Sequence, residues 1–311
     1  MMKAVILVDE KSLWKICGKS ILARLTNLLK KNIEEIYIFA PPKLKKRIRE
    51  ELGEIKFLRS FKDLKEKALI IKGNVFLKEI KFDGDILIGK DGSKIAYIGT
   101  KEKIRGRRTK IDGFEIKSRE DIKKAEEELS HIVVCKKDIV GEYLTKKISA
   151  KIASLICSTY IAPSQMAVAA LLIALLSFLF YLLSDYIYVL SAAFLVGISS
   201  IVFGVGEELA ELKEQRFSEL PNIFAIFLIL LGFTFFAYEV GKSIYAWIIS
   251  FFAVMGVFAL FHESRFKDTL IGRDVIFFII FIASLFYQPF IALVVICIAC
   301  YAELVRLTMV K

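Results

Sequence analysis

The chain has 311 residues, of which 56% are hydrophobic and 25% are charged, with a formal net charge of +11. A mean hydropathy of +0.54 together with so much charge excludes a single soluble globular domain of ordinary composition. Charged residues dominate up to about Lys151, and apolar residues dominate from Met166 onward. The composition therefore predicts a soluble domain followed by a membrane domain.

The start of the chain predicts no cleavable signal peptide, because Met1 to Asp9 is a short strand-like run without a basic segment and a long apolar core. The cysteines are scattered, and the last two lie inside a predicted spanning helix without a second pair. We expect all of them to serve packing rather than zinc binding or redox chemistry. They are Cys17, Cys135, Cys157, Cys297 and Cys300.

The soluble part alternates strand-like and helix-like patterns, which predicts an α/β fold with a largely parallel sheet. A later run, Lys94 to Gly99, predicts a further strand. Helical periodicity covers Ser20 to Lys31 and Pro42 to Leu52. The short β-branched runs lie at Lys3–Val8, Glu35–Ala40, Ala68–Ile71 and Asp85–Gly89.

The first strand and helix, KAVILV followed by GKSILARLTNLLKKNIEEIYIFAPP, resemble the start of sugar-nucleotide and MobA-like nucleotidyltransferases. The resemblance implies a Rossmann-like cytoplasmic domain over residues 1–117. That family binds phosphate with a glycine-rich loop, whereas Val8 to Trp14 contains no glycine, and only Gly18 and Lys19 match the motif. Asn74 falls where the family places a metal-binding aspartate. We therefore expect a folded appendage that transfers no nucleotide.

Residues 118–160 are predicted to connect the two domains. Ser118 to His131 predicts a solvated helix with Ser118 as N-cap and Asp121 three residues on. Asp138 to Thr159 predicts a basic amphipathic helix along an anionic membrane surface, with an ordinary surface helix as the alternative. Its lysines are Lys146, Lys147 and Lys151, and its apolar side carries Ile139, Tyr143, Ile148, Ile152 and Leu155.

Six apolar runs predict an all-α domain of six membrane spans over residues 161–311. Lysine and arginine concentrate in the amino-terminal region, the 204–222 loop, the 262–274 loop and the tail, so the positive-inside rule predicts an inner-membrane protein with both termini in the cytoplasm. The spans contain almost no ionisable residues, which disfavours a proton-coupled transporter or a charged pore. The runs are Met166–Leu183, Tyr188–Phe203, Ile223–Tyr238, Ile244–Phe261, Val275–Phe286 and Pro289–Tyr301.

The segments EYLTKKISAKIASLI, YIAPSQMAV and GVGEELAELK resemble the CDP-alcohol phosphotransferases, particularly those fused to a nucleotidyltransferase-like domain. The family motif, D-x-x-D-G-x-x-A-R and then G-x-x-x-D-x-x-x-D, implies four carboxylates that hold divalent cations on the pyrophosphate of a CDP-linked alcohol. Only the alanine is kept here, and a count without a short deletion moves the last two positions to Phe224 and Leu228. The motif-equivalent positions are Phe203, Gly206, Glu207, Ala210, Glu211, Ser218, Asn222 and Ile226.

The missing carboxylates lead to a first hypothesis, a catalytically degenerate family member that acts as a scaffold, lipid-binding or regulatory protein without a cofactor. The resemblance also implies a homodimer through the membrane helices, and no nucleic-acid partner is expected. The alternative is an active, divergent transferase in which Glu207, Glu211 and Glu214, on one helical face, hold Mg²⁺ or Mn²⁺. A transporter or channel is a third hypothesis.

Four basic residues are candidates for binding an anion, such as a phosphate or an anionic phospholipid headgroup. They flank the membrane domain on its predicted cytoplasmic side, where positive-inside anchoring alone also accounts for them. They are Lys146, Lys147, Arg265 and Arg273.

Overall fold

A computed structural model describes residues 3–60, 67–79, 85–99, 107–134, 145–264 and 271–309. The chain divides into two compact units, Met1–Leu129 and Ser130–Lys311. Cys135, Ile139, Tyr143 and Arg265 lie outside the described residues.

The first unit is built on a central sheet. Seven of its described strands form one sheet in the order β10-β8-β9-β6-β1-β4-β5, and two pairs, β2 with β3 and β7 with β11, stand apart. The strands are β1 Lys3–Leu7, β2 Lys15–Ile16, β3 Lys19–Ser20, β4 Glu35–Phe39, β5 Lys56–Phe57, β6 Ala68–Lys72, β7 Val75–Leu77, β8 Ile86–Ile88, β9 Lys94–Gly99, β10 Arg108–Lys110 and β11 Gly113–Glu115. The helices are α1 Ile21–Lys30, α2 Lys45–Leu52 and α3 Arg119–Val134.

The centre of the sheet is parallel, because β1 pairs in parallel with both β4 and β6, as the βαβ pattern predicts. The predicted strands and the two predicted helices are confirmed. β9 lies antiparallel between β6 and β8, so the sheet is mixed. Strand β1 is apolar throughout its middle because both of its faces are covered: Ala4, Val5 and Ile6 are fully buried.

Helix α3 begins as its capping pattern predicts. The backbone N–H of Asp121 donates to Ser118 Oγ (3.3 Å), and the N–H of Ser118 donates to Asp121 Oδ2 (2.9 Å). The expectation of a fully solvated helix is wrong for its inner face, because Ala125 is completely buried. The carboxylate of Glu126 accepts a hydrogen bond from the Cys17 N–H at 3.0 Å, and this ties the helix to the sheet unit.

The second unit is helical. Among its described residues, four helices are long and apolar enough to cross a membrane: α5, α6, α7 and α10. Helix α8 is apolar from Tyr245 to Leu260, and α9 is shorter, so the count of six spans stays a prediction. The helices are α4 Thr145–Ile156, α5 Pro163–Leu183, α6 Tyr186–Lys213, α7 Leu220–Gly241, α8 Tyr245–Ser264, α9 Arg273–Leu285 and α10 Pro289–Met309.

The outer faces of these helices expose large apolar side chains, as a membrane protein requires and a soluble protein avoids. Leu172 on α5 is 60% exposed, and Phe251 on α8 is 62% exposed. Small and hydroxylated residues mediate the inner contacts. Ser199 on α6 donates to the Ala170 carbonyl at 2.9 Å, and the Tyr181 hydroxyl lies 2.9 Å from Ser284 Oγ on α9.

Candidate functional site

A cavity of about 410 Å³ with many charged lining residues lies where α4, α6 and α9 meet the segment after α6. Helix α6 has 28 residues, which gives a length of about 42 Å, longer than the roughly 30 Å hydrocarbon core of a membrane. The predicted 204–222 loop is therefore helical as far as Lys213. The charged lining residues are Lys146, Glu207, Glu208, Glu211, Glu214, Glu219, Arg273 and Asp274.

Arg273, at the first position of α9, holds the centre of this region, and its side chain is only 10% exposed. The guanidinium lies 3.6 Å from a Glu207 oxygen, and Nε lies 3.2 Å from Asp274 Oδ1. A third nitrogen donates to the Asn222 amide oxygen on α7 at 3.4 Å. The guanidinium carbon also stands 4.7 Å from the ring centre of Phe203, a cation–π distance. One arginine thus links α6, α7 and α9.

Asp274 is fixed from a second side. The Ser200 hydroxyl on α6 donates to Asp274 Oδ1 at 2.5 Å, so the same oxygen accepts from both Ser200 and Arg273. A carboxylate that receives charge-assisted hydrogen bonds from two helices is rigidly oriented. Arg273 and Asp274 are consecutive residues at the start of α9, and both line the cavity.

The positions where the resemblance requires metal ligands do not fit a divalent cation. Phe203 and Ile226 are buried apolar side chains. A Cβ at Gly206 would lie 3.2 Å from the Pro163 carbonyl oxygen and 3.1 Å from the Phe217 ring, so this position has no room for a projecting carboxylate. Asn222 supplies its amide oxygen to Arg273 instead. We derive no metal-dependent step at these positions.

The other motif-equivalent positions are divided between the cavity and its surroundings. Ala210 is buried and lines the cavity, whereas Ser218 is exposed in the segment between α6 and α7. Glu207, Glu211 and Glu214 all line the cavity. Among the described residues, however, no three acidic side chains of the cavity bring their oxygens within 4.8 Å of one another. The arrangement offers no preformed cage for Mg²⁺ or Mn²⁺.

Glu208 is the buried carboxylate of the cavity, at 8% exposure. The Ser149 hydroxyl on α4 donates to Glu208 Oε1 at 2.8 Å. The second oxygen, Oε2, is buried without a hydrogen-bond partner among the described residues. Helix α4 approaches α6 this closely because Gly204 has no side chain: a Cβ there would lie 3.2 Å from Ser149 Oγ.

A buried lysine fixes the chain between α4 and α5. Lys213, in the last turn of α6, is 8% exposed and donates to the Thr159 carbonyl at 2.7 Å and to the Ile161 carbonyl at 2.8 Å. These carbonyls belong to the segment between the end of α4 and the start of α5. Lys213 therefore anchors one wall of the cavity to α6.

The predicted anion-binding residues separate in the structure. Lys146 and Arg273 line the cavity, whereas Lys147 is exposed on α4 and does not belong to the lining. The buried face of α4 consists of small residues, and its apolar side chains face outward: Leu155 is 71% exposed, close to Ile152 on the same helix. An exposed apolar stripe beside lysines favours contact with a membrane surface.

In the first unit, hydrogen bonds fix the residues that follow β1 and β6. Asp9 Oδ1 accepts from the backbone N–H and the hydroxyl of Ser12, at 2.8 and 2.6 Å. Ser12 is fully buried, and a Cβ at Gly73 would lie 2.7 Å from its oxygen. Asn74 is buried and donates to the Ile116 carbonyl at 3.1 Å. The hydrogen bonds of the buried Ser12 and Asn74 therefore stabilise the fold of this unit.

The sequence did not single out Ser149, Ser200 or Glu208 as functional residues. Serine occurs in many helices, and the sequence alone does not show that a serine faces a carboxylate on another helix. Glu208 lies beside three glutamates that share one helical face, and only the packing of α4 shows that it is the buried one. The run GVGEE nevertheless indicated a site of this kind. Its two glycines allow another helix to approach closely, and its two glutamates place charge beside that contact.

No protein-family model matches this chain, and no curated protein matches its sequence.

Proposed function

We propose that the chain is a membrane protein of the CDP-alcohol phosphotransferase type that binds a polar lipid headgroup in the cavity and catalyses no metal-dependent transfer. The observation that carries the proposal is Arg273. Its guanidinium stacks on Phe203 and pairs with Glu207, Asn222 and Asp274, at the helix junction where the family resemblance calls for metal ions. The guanidinium of Arg273 already pairs with Glu207 and Asp274, so these carboxylates are neutralised without a metal ion.

The position of the cavity supports headgroup binding. The last turns of α6 extend beyond the length that a hydrocarbon core requires, so the cavity lies at the depth of lipid headgroups. Helix α4 exposes Ile152 and Leu155 on its outer face and directs Ser149 into the cavity. If its outer face lies in the membrane surface, a headgroup reaches the cavity without leaving the bilayer.

The active alternative makes a different chemical prediction. A transferase would break the phosphoanhydride of a CDP-linked alcohol, join the substituted phosphate to an acceptor hydroxyl and release CMP. That chemistry needs a divalent ion, and the cavity carboxylates do not converge on one.

The test uses the purified full-length chain in detergent with CDP-diacylglycerol or CDP-choline, an acceptor alcohol, and Mg²⁺ or Mn²⁺. We expect no CMP release above a reaction without protein. In parallel, native mass spectrometry should retain phospholipid on the wild type and lose it in Arg273→Ala, with Arg216→Ala as the matched exposed control. Metal-dependent CMP release that Glu207→Gln with Glu211→Gln abolishes would establish the transferase instead.

A further inference from the structure

Helix α2 and the turn before it carry a run of positive charge in the sheet unit. Residues 42–49 read PKLKKRIR, with five basic residues and no acidic one. Leu44 and Ile48 are buried in the core of the unit, so the apolar side of the helix is fixed to the sheet. Four of the five basic residues are exposed, and Lys45 is partly exposed. We call this set the basic surface: Lys43, Lys45, Lys46, Arg47 and Arg49.

The charges of α2 are placed against the helix dipole. Its first turn is basic and contains no acidic residue, whereas Glu50 and Glu51 come near its end. The opposite order stabilises a helix, because the amino-terminal end already carries partial positive charge. Helix α1 follows the favourable order, with Lys30 in its last turn. Within the described part of the chain, Lys46 and Arg47 have no ion-pair partner. The order of charges in α2 therefore does not serve the stability of the helix.

An aromatic ring restrains two of these cations. Lys45 Nζ lies 5.7 Å, and the Arg49 guanidinium carbon 5.4 Å, from the ring centre of Phe57 on β5, an edge strand of the sheet. Cation–π contacts of this kind limit the rotation of long side chains. A partner therefore meets a surface that is already ordered in part, and less conformational entropy is lost on binding.

The basic surface fits a partner that presents many phosphate groups over a broad area. Because Leu44 and Ile48 point into the core, the helix offers charge to a partner and keeps its apolar side chains covered. Clusters of lysine and arginine of this size bind anionic phospholipids, and salt weakens the attraction.

The second unit supplies a bilayer for this contact. Among the residues that the structure describes, four helices are long and apolar enough to cross a membrane. The covalent link between the units keeps the sheet unit near that membrane. Binding to the membrane of the same chain then needs little intrinsic affinity, because the link makes the local concentration of lipid high.

We propose that the basic surface binds anionic phospholipid at the membrane surface and so holds the sheet unit on the bilayer. The ammonium and guanidinium groups of α2 contact lipid phosphates. A single-stranded nucleic acid fits less well, because such strands stack their bases on aromatic rings, whereas the Phe57 ring is already in contact with Lys45 and Arg49. The proposal is independent of headgroup binding in the cavity.

The first test compares lysine reactivity of the full-length chain in nanodiscs of phosphatidylcholine with and without phosphatidylglycerol. Acetylation of each lysine by an N-hydroxysuccinimide ester is followed by mass spectrometry. Phosphatidylglycerol should slow the acetylation of Lys43 and Lys46 at least about 3-fold at low salt, and about 0.5 M NaCl should remove the difference. Lys30 and Lys31 are internal controls that should not change. They precede β4 and α2 follows it, so they lie at the opposite end of that strand.

The second test uses two variants with the same change in charge. Lys46→Gln with Arg47→Gln should remove most of the protection of Lys43 by phosphatidylglycerol. Lys30→Gln with Lys31→Gln should leave that protection unchanged. All four side chains are exposed, so both variants should keep the fold.

Equal acetylation of Lys43 and Lys46 in the two kinds of nanodisc would overturn the proposal. Protection that extends equally to Lys30 and Lys31, or that both variants retain, would do the same, because it would not depend on the basic surface. A short RNA added to phosphatidylcholine nanodiscs tests the other polyanion. Protection by this RNA without protection by phosphatidylglycerol would identify a nucleic-acid surface instead.

Discussion

The sheet unit and the helical unit both gather polar side chains where regular elements end, but they use them differently. In the sheet unit, Ser12 donates to Asp9, and Asn74 donates to the Ile116 carbonyl. In the helical unit, Glu208 is buried, and one of its oxygens has no hydrogen-bond partner among the described residues. Polar groups with partners stabilise the fold, whereas a buried oxygen without a partner costs free energy.

The largest effect is expected from Arg273→Ala. Removal of this buried guanidinium leaves Glu207, Asp274 and Asn222 without their shared partner, so the free energy of unfolding should fall by about 3 kcal/mol. Thermal unfolding in detergent measures the loss. Arg216→Ala, in the exposed segment after α6, should change stability by less than about 0.5 kcal/mol. Equal stability of the two variants would show that Arg273 does not hold the helices together.

Asn74→Asp tests the sheet unit by restoring the carboxylate that the family resemblance expects. The substitution replaces the donor to the Ile116 carbonyl with an acceptor and puts a negative charge beside Glu115, so we expect a loss of about 2 kcal/mol. Chemical unfolding followed by tryptophan fluorescence measures it. Mn²⁺ should give no recovery. Stabilisation of this variant by Mn²⁺ would instead show that the sheet edge still accepts a metal.

Lys213→Met should cost about 1–2 kcal/mol, because two carbonyls between α4 and α5 lose their charged donor while the apolar stem is kept. The thermal midpoint in detergent reports the change. Lys147→Met, an exposed lysine on α4, is the control and should be close to neutral. A Lys213→Met protein as stable as this control would mean that the wall of the cavity needs no such anchor.

The smallest effect concerns pH. Burial raises the pKa of Glu115, but hydrogen bonds from Lys72 and Asn74, with the charges of Lys72 and Lys117, outweigh it and hold the pKa below its usual value. The stability from this carboxylate is therefore present above the unfolded pKa and is lost as pH falls through the lower folded pKa. Glu115→Gln should destabilise the sheet unit by less than about 1 kcal/mol at pH 7, and the difference should shrink below about pH 4.5. Unfolding curves from pH 7 to pH 3 measure it, and a difference independent of pH would contradict the assignment.

Much of the fold followed from periodicity. Alternating short apolar runs and amphipathic stretches predicted β1, β4, β6, β9 and the first two helices because their burial depends on local sequence order. The mixed character of the sheet was not predictable, since the direction of β9 depends on which neighbour it pairs with. The inner face of α3 was missed for a similar reason: Ala125 has no polar signal that distinguishes a solvated helix from a packed one.

The sequence by itself determined that the chain carries a charged, glycine-containing segment at the end of an apolar helix, with Arg273 and Asp274 before another. Only the tertiary structure decided what these residues do. It put Arg273 on Phe203, paired Ser149 with Glu208, and buried Glu208 Oε2 without a partner among the described residues. The physical reason is that a side chain's partner is set by the packing of distant helices, whereas charge and hydrophobicity are properties of the residues themselves.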